Sequence, residues 1–223
     1  MAESSTDSLR DEAHHRLRQA IILLQHKPDE KLAIARVCDE LGIGRTPVRG
    51  ALQQLEKEGL VNMVPQSGTY VTKIDLKVAE LARFTRETIE KEVAAECAAL
   101  AGRADIDRID EAIGLQRAAI DSGRPEDFFI SDNLMHQAVF DIVGKLTVWK
   151  WLEITNADLE RYRLLRVIGT DLELEGVYEQ HLRMREAFLR HDVTEARFLT
   201  ARHLHLMFEE APKVVDLNPE YFA

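Results

Sequence analysis

The chain has 223 residues, 45% hydrophobic and 30% charged, with a formal net charge of −10. That hydrophobic content suffices for a packed core and excludes a disordered chain, and no apolar run nears the roughly 20 residues that a membrane-spanning helix needs. Cys38 and Cys97 are too few and too isolated for a disulfide framework or a thiolate zinc site. The N-terminal MAESSTDSLRDEAHH lacks both the basic patch and the apolar stretch of a signal peptide, so a cytoplasmic protein is expected.

The charge is uneven. Residues 1–74 hold ten Lys/Arg and ten Asp/Glu, so the whole −10 falls on residues 75–223. Within 31–74, six basic residues face four acidic ones. An acidic body joined to a locally basic head is compatible with nucleic-acid binding through the head.

In chain order, Leu9, Ala13, Leu17, Ile21 and Leu24 recur at helical spacing and predict an amphipathic helix ending near His26 and Pro28. A short second helix, with Leu32, Val37, Cys38 and Leu41 apolar, stops at Gly42. Val48, Ala51, Leu52 and Leu55 then form one face of a third helix running to about Glu58, with Gly59 at its C-terminal stop. LVNMV, PQSG and TYV read as strand, turn and strand. This is the order of a winged helix-turn-helix. Pro47 costs little in the first turn of the third helix, because the first amides have no carbonyl partner there. Arg45 and Arg49 share the face opposite the leucines, near the end of a recognition helix that meets DNA. Arginine suits that place because its planar fork binds guanine or phosphate at two points. Two arginines four apart are by themselves an ordinary solvated surface; the surrounding order of elements is what points to DNA.

From Ile74 strand periodicity gives way to helix. Helical patterns fill about 76–102, 105–122, 125–143, 146–168, 171–190 and 193–214, which predicts an all-α antiparallel bundle of about six helices. The expected domains are therefore residues 1–74 and 75–223, in a mainly α chain. Ala82, Arg86, Ile89, Val93, Cys97 and Leu100 follow one stripe, which sets Arg86 on an apolar face where a bare cation is expensive. Asp132 and His136 lie one turn apart on the stripe of a later helix. His181 shares a stripe with Val177, Met184 and Phe188, and His203 with Ala196, Leu199 and Leu206. A lone inward histidine is more often a satisfied core residue than a ligand, and Asp11 with His15 repeats the same Asp-x-x-x-His spacing. Three inward histidines and an aspartate facing one core make a candidate metal site. Three imidazoles and one carboxylate suit Zn²⁺, Ni²⁺ or Mn²⁺.

ELGIGRTPVRGALQQLEKEGLV…PQSGTYV closely resembles the DNA-binding domain of the GntR family of bacterial transcription regulators, over some sixty residues. The resemblance implies that Arg45, Thr46, Arg49 and the wing residue Gly68 lie at the DNA. The serine usual at position 44 is Gly44, the glutamate usual at 50 is Gly50, and the arginine common in the second helix falls at Ala35 with Arg36 one step along. A different operator or weaker binding is therefore expected, with Arg36 as a displaced contact. The body resembles the FCD ligand-binding domain of the FadR subfamily. DNLMH (132–136), EQHLRMREAFLRHD (179–192) and ARFLTARHLHL (196–206) fill that family's metal positions with Asp132, His136, His181 and His203. RETIE (86–90) is similar to a motif whose arginine helps hold an acidic effector, which implies that role for Arg86. Six body helices are closer to the VanR-like branch than to the seven-helix FadR-like one.

The expectation is a non-enzymatic DNA-binding transcription regulator, a repressor by the family's commoner habit. It is expected to bind a palindromic operator in double-stranded DNA as a homodimer, under control of a small carboxylate or hydroxy acid held at the metal and by Arg86. Half-sites about 34–36 Å apart make binding sensitive to the spacing of two heads. Two rivals stand beside it: the same regulator with a purely structural metal, and a metal-dependent hydrolase, for which no inward general base stands out although Glu90 can be argued. Asn156, Arg161 and Arg163 either line the pocket or are solvated, and Trp149 and Trp151 read as core or dimer contacts.

Overall fold

The structure is a computed structural model describing residues 2–223, with side chains from residue 8 onward. The chain forms two compact units, Met1–Leu76 with Pro219–Ala223, and Lys77–Asn218. The sequence places the boundary two residues earlier and assigns the last five residues to the body. They belong to the head because Ile74 donates its amide to the Tyr221 carbonyl at 2.8 Å and accepts from the Ala223 amide at 3.1 Å. Phe222 pairs with Ile74 as an isolated parallel bridge and is buried.

In the head, α1 (Ala2–Ile22), α2 (Ile34–Leu41) and α3 (Arg45–Lys57) precede a hairpin of β1 (Val61–Val64) and β2 (Gly68–Val71). The hairpin is antiparallel, with Val61 opposite Val71 and Val64 opposite Gly68. Ala13, Leu17 and Ile21 of α1 pack among Val48, Ala51, Leu52 and Leu55 of α3, all buried, and α1 and α3 lie side by side. Leu9, at the start of the expected stripe, stands exposed. Gly42 ends α2 in the left-handed region at φ 69°, a conformation that glycine adopts without a side-chain penalty. Its amide returns to the Cys38 carbonyl at 2.9 Å.

The body is all-helical: α4 (Leu76–Leu100), α5 (Arg103–Asp121), α6 (Pro125–Ile142), α7 (Leu146–Thr155), α8 (Ala157–Ile168), α9 (Leu174–Leu189), α10 (Val193–Leu206) and α11 (Ala211–Leu217). Among the described residues there are thus eight helices where six are expected, because two expected helices break. The 146–168 pattern is interrupted at Asn156, whose backbone leaves helical values at φ −99° and ψ 14°. The 193–214 pattern breaks before Pro212, which lacks an amide hydrogen and would clash with a carbonyl one turn earlier. The helix count therefore no longer favours the VanR-like branch. Helix α5 packs on α6 and α9, α9 on α10, and α6 on α7 and α8. The core runs through Val93, Cys97, Ile109, Ile113, Met135, Phe140, Trp149, Met184 and Phe188. Trp149 is in that core, whereas Trp151 and the stripe residue Leu100 are exposed. No helix among the described residues is long and apolar enough to cross a membrane.

Candidate functional site

Helix α6 supplies Asp132 and His136, α9 supplies His181 and α10 supplies His203. All four are buried, and one ligand atom from each lies within 4.8 Å of the others. The second nitrogen is hydrogen-bonded in His181 and His203 and faces a carboxylate in His136. His136 Nδ1 lies 2.9 Å from Glu90 Oε2, His181 Nδ1 2.8 Å from Gln116 Oε1 and His203 Nδ1 2.8 Å from Gln180 Oε1. Gln116 in turn donates its amide nitrogen to the Ser131 carbonyl at 3.4 Å, which fixes its oxygen toward His181. Partners of this kind hold a ring's tautomer and orientation, as outer-shell groups do around metal-bound histidines.

With Nδ1 donating, His181 and His203 each turn a lone pair on Nε2 inward, and these two nitrogens are 3.4 Å apart. Two acceptors at that distance repel unless a cation lies between or beside them. Burial pushes the His181 imidazole down to about 4, against the pull of Asp132. Burial also pushes His203 well below its ordinary value, with His181 adding to the effect. Protonation therefore does not resolve the clash near neutral pH. His136 Nε2 is also buried without a hydrogen-bond partner, 3.9 Å from Asp132 Oδ2, and Asp132 Oδ1 lies 3.4 Å from His181 Nε2. Three inward lone pairs and a carboxylate fit a divalent ion by the chemistry of the donor set.

Around this cluster lies a buried charge network. Arg163 pairs with Asp132 and with Glu160 at 2.7 Å, and donates to Asn133 at 2.7 Å. Arg86 pairs with Glu90 and, at 3.2 Å, with Glu160; Asn133 donates to the other Glu160 oxygen at 2.8 Å. Burial alone would raise the carboxyls. Arg163 overrides it at Asp132, which is held far below the usual range, and Arg86 ahead of His136 holds Glu90 down to about 2. Arg163 followed by Arg86 likewise keeps Glu160 low.

A cavity of about 50 Å³ adjoins the cluster, with Phe129, Asp132, Arg163, Arg166, Gln180 and His203 on its wall. Arg86 is fully buried and is not on that wall. Its Nε and Nη1 are paired with Glu90 and Glu160 while its Nη2 is buried without a partner, and the arginine on the cavity wall beside the cluster is Arg163. Asn156, Arg161 and Arg163 are all buried rather than solvated.

In the head, Arg45, Thr46 and Arg49 are exposed on the first turns of α3 and line one open groove of about 700 Å³ with Arg10 and Gln53. Gly44 precedes the helix without a side-chain cap bond. Arg36 lies outside that groove, paired with Glu30 at 2.5 Å and Glu40 at 3.4 Å. Gly68 begins β2 at φ 145°.

Sequence reading weighed Glu90 only as a base and missed the other outer partners of the cluster. Gln116 continues the Ile109–Ile113 stripe of α5, an inward polar position that periodicity could have marked. Glu90 follows Arg86 by one helical turn. Gln180 and Glu160 carry no such signal.

Residues 81–206 match the family described as "FCD domain", and residues 9–71 match "Bacterial regulatory proteins, gntR family". An uncharacterized HTH-type transcriptional regulator of Streptomyces ambofaciens is 28% identical over 227 residues, spanning 100% of this chain and 93% of that one. The HTH-type transcriptional repressor RspR of Escherichia coli K12 is 26% identical over 218 residues, 98% of this chain and 95% of its own. Among solved structures, E. coli McbR/YncC superposes with a TM-score of 0.79 at 17% identity, over 91% of this chain and 98% of that one. A putative GntR regulator from Rhodococcus sp. RHA1 gives 0.72 at 18%, over 94% and 98%. These structural likenesses show the fold.

Proposed function

Because this chain belongs to the GntR family of bacterial regulators with an FCD domain, and so is a DNA-binding transcription regulator rather than an enzyme, we propose that a divalent metal at Asp132, His136, His181 and His203 makes it responsive to a small acid. Zn²⁺, Ni²⁺ and Mn²⁺ all suit these donors. The observation that carries this reading is the facing pair of neutral Nε2 atoms, 3.4 Å apart with both Nδ1 positions committed.

A bound ion would supply a Lewis-acidic centre with positions open to a carboxylate or hydroxy acid. The chain's own residues define what fits there. Gln116, Gln180 and Glu90 hold the three rings in register. Arg163 and Arg166 stand on the cavity wall, where a guanidinium can take a second carboxylate oxygen, and the small cavity selects a compact acid. Arg86 acts one layer back, by fixing Glu90 and Glu160. Metal-bound imidazoles are neutral, so with an ion in place Arg86 and Arg163 would face Asp132, Glu90 and Glu160, and the divalent charge would leave one net positive charge that one carboxylate neutralises.

In the head, Arg45, Thr46 and Arg49 read an operator, which for a homodimer is palindromic in double-stranded DNA. Arg36 and Gly68 flank that surface. Release of DNA on acid binding makes the protein a repressor, in keeping with the name of its E. coli relative RspR.

The test is thermal melting of chelator-stripped protein with Zn²⁺, Ni²⁺ or Mn²⁺ against a panel of small carboxylic acids. An acid is expected to raise the melting temperature only when metal is present, and His181→Ala to lower bound metal by elemental analysis. Stabilisation by metal with every acid silent would make the ion structural; a fully metallated His181→Ala protein would remove that residue from the ligand set.

A further inference from the structure

Five glycines lie in residues 42–68 of the head. A side chain built at Gly42, Gly44 or Gly59 meets nothing within 4 Å. The other two positions are occupied, each by a basic side chain from another element. At Gly50, in the middle of α3, a Cβ would fall 3.1 Å from Arg10 Cδ and 3.2 Å from its Cγ. At Gly68, the first residue of β2, a Cβ would fall 2.6 Å from Lys31 Cε and 3.3 Å from its Nζ. Both glycines thus form notches in the two elements with which a winged helix-turn-helix meets DNA.

We propose that Arg10 and Lys31 are DNA phosphate contacts, seated by Gly50 and Gly68. The inference rests on α3 being the DNA-reading helix. Arg10 comes from α1, lies across α3 and lines the same groove as Arg45, Thr46 and Arg49. Lys31 is exposed, bridges Tyr70 of the wing through its backbone, and holds its ammonium 5.8 Å from the Tyr70 ring centroid. Each carbon stem rests on bare backbone, so the cation at its end is partly ordered before DNA arrives and loses less freedom on binding. The notch at Gly50 is a departure from the family pattern, which has glutamate there. A carboxylate at that place would lie beside Arg10 and repel the phosphates. Arg10 pairs with the exposed Asp11 carboxylate at 3.0 Å, an ion pair in solvent that a phosphate can replace. Arg36, the displaced family arginine, is instead held by Glu30 and Glu40.

The experiment uses the full-length protein, a duplex selected by the wild-type protein from a random pool, and a mixed-sequence duplex of equal length. Affinities are measured by fluorescence anisotropy between about 50 and 200 mM salt, the range over which phosphate contacts dominate the change. Arg10→Ala and Lys31→Ala are each expected to reduce the slope of log affinity against log salt by about 0.9 per head bound. Each should weaken both duplexes by the same factor, since a phosphate contact carries no sequence information. Arg10→Lys and Lys31→Arg should keep the wild-type slope. An unchanged slope in the alanine variants overturns the proposal, as does an equal loss in the charge-conserving ones, which would assign the effect to shape. Arg49→Ala is run alongside and should weaken the selected duplex more than the mixed one. If it does not, the reading of α3 fails, and the salt slopes of Arg10 and Lys31 still stand or fall by themselves.

Discussion

In the head, Arg45 and Arg49 stand in solvent on a helix whose other face is Val48, Ala51, Leu52 and Leu55. In the body, Arg86, Arg161 and Arg163 are sealed among carboxylates inside the helices. The head largely separates its duties: apolar residues make the core and Arg45 and Arg49 face outward, with one inward exception where Glu58 is held between His14 and Arg18. The body merges them, because Arg163 holds both the candidate ligand Asp132 and the structural Glu160. A change in the body's polar core therefore reaches stability and the candidate metal centre together, whereas the head's exposed arginines can vary without touching its fold.

The largest expected effect breaks that comparison at its centre. Glu160 accepts from Arg86, Arg163 and Asn133. Glu160→Ala removes a shared partner of two buried guanidinium groups, which keep only the carboxylates of Glu90 and Asp132, and is expected to cost about 3–5 kcal/mol, the range for removing one partner of a buried ion pair. Arg45→Ala in the head should cost less than about 0.5 kcal/mol, as surface substitutions do. Urea denaturation of the two variants measures both. Equal midpoints would mean that the body's charges are as dispensable to folding as the head's.

A second substitution sharpens the comparison from the head's side. Phe222, only 8% exposed, joins the head through the Ile74 bridge although it lies at the far end of the sequence. Phe222→Ala is expected to destabilise the head by about 3 kcal/mol, the lower end for a buried phenylalanine. Hydrogen exchange should show faster exchange at the Ile74 amide, which donates to Tyr221. Unchanged protection there would show that the tail adds nothing to the head's core.

These two cases also show what was legible in the sequence. The winged helix-turn-helix is written in local signals: the stripe Val48–Leu55, the stop at Gly42 and the strand–turn–strand run all act within a few residues. The four metal candidates were legible because each sits on an apolar stripe, where a polar residue stands out. What periodicity could not give is partnership across helices. That Arg86 would be taken up by Glu90 and Glu160, and that Arg163 would meet the cavity in its place, depends on which helices adjoin. The helix break at Asn156 was hidden because apolar spacing continues across it, whereas the break before Pro212 was signalled by the proline itself. The return of Phe222 to Ile74 spans nearly 150 residues and leaves no local trace.

The smallest effect comes from one substitution, glycine to alanine, made once in each unit. At Gly50 a methyl group approaches only the carbon stem of Arg10, at 3.1 Å, and that side chain is partly exposed and can shift. Alanine is favoured over glycine in a helix interior by about 1 kcal/mol, so Gly50→Ala should stabilise the head by up to about that amount. At Gly169, which follows α8, the methyl group would fall 2.8 Å from the Leu165 carbonyl oxygen and 2.9 Å from Asn218 Oδ1. Backbone cannot step aside as a side chain can, and Asn218 is itself held by the Gly169 and Val214 carbonyls at 3.3 and 3.1 Å. Gly169→Ala should therefore destabilise the body by about 1–3 kcal/mol, as overpacking does. Opposite signs in thermal melting are expected for the same chemical change. A common sign would mean that backbone preference outweighs the neighbours at both positions, and that the body's tight packing does not extend to the end of α8.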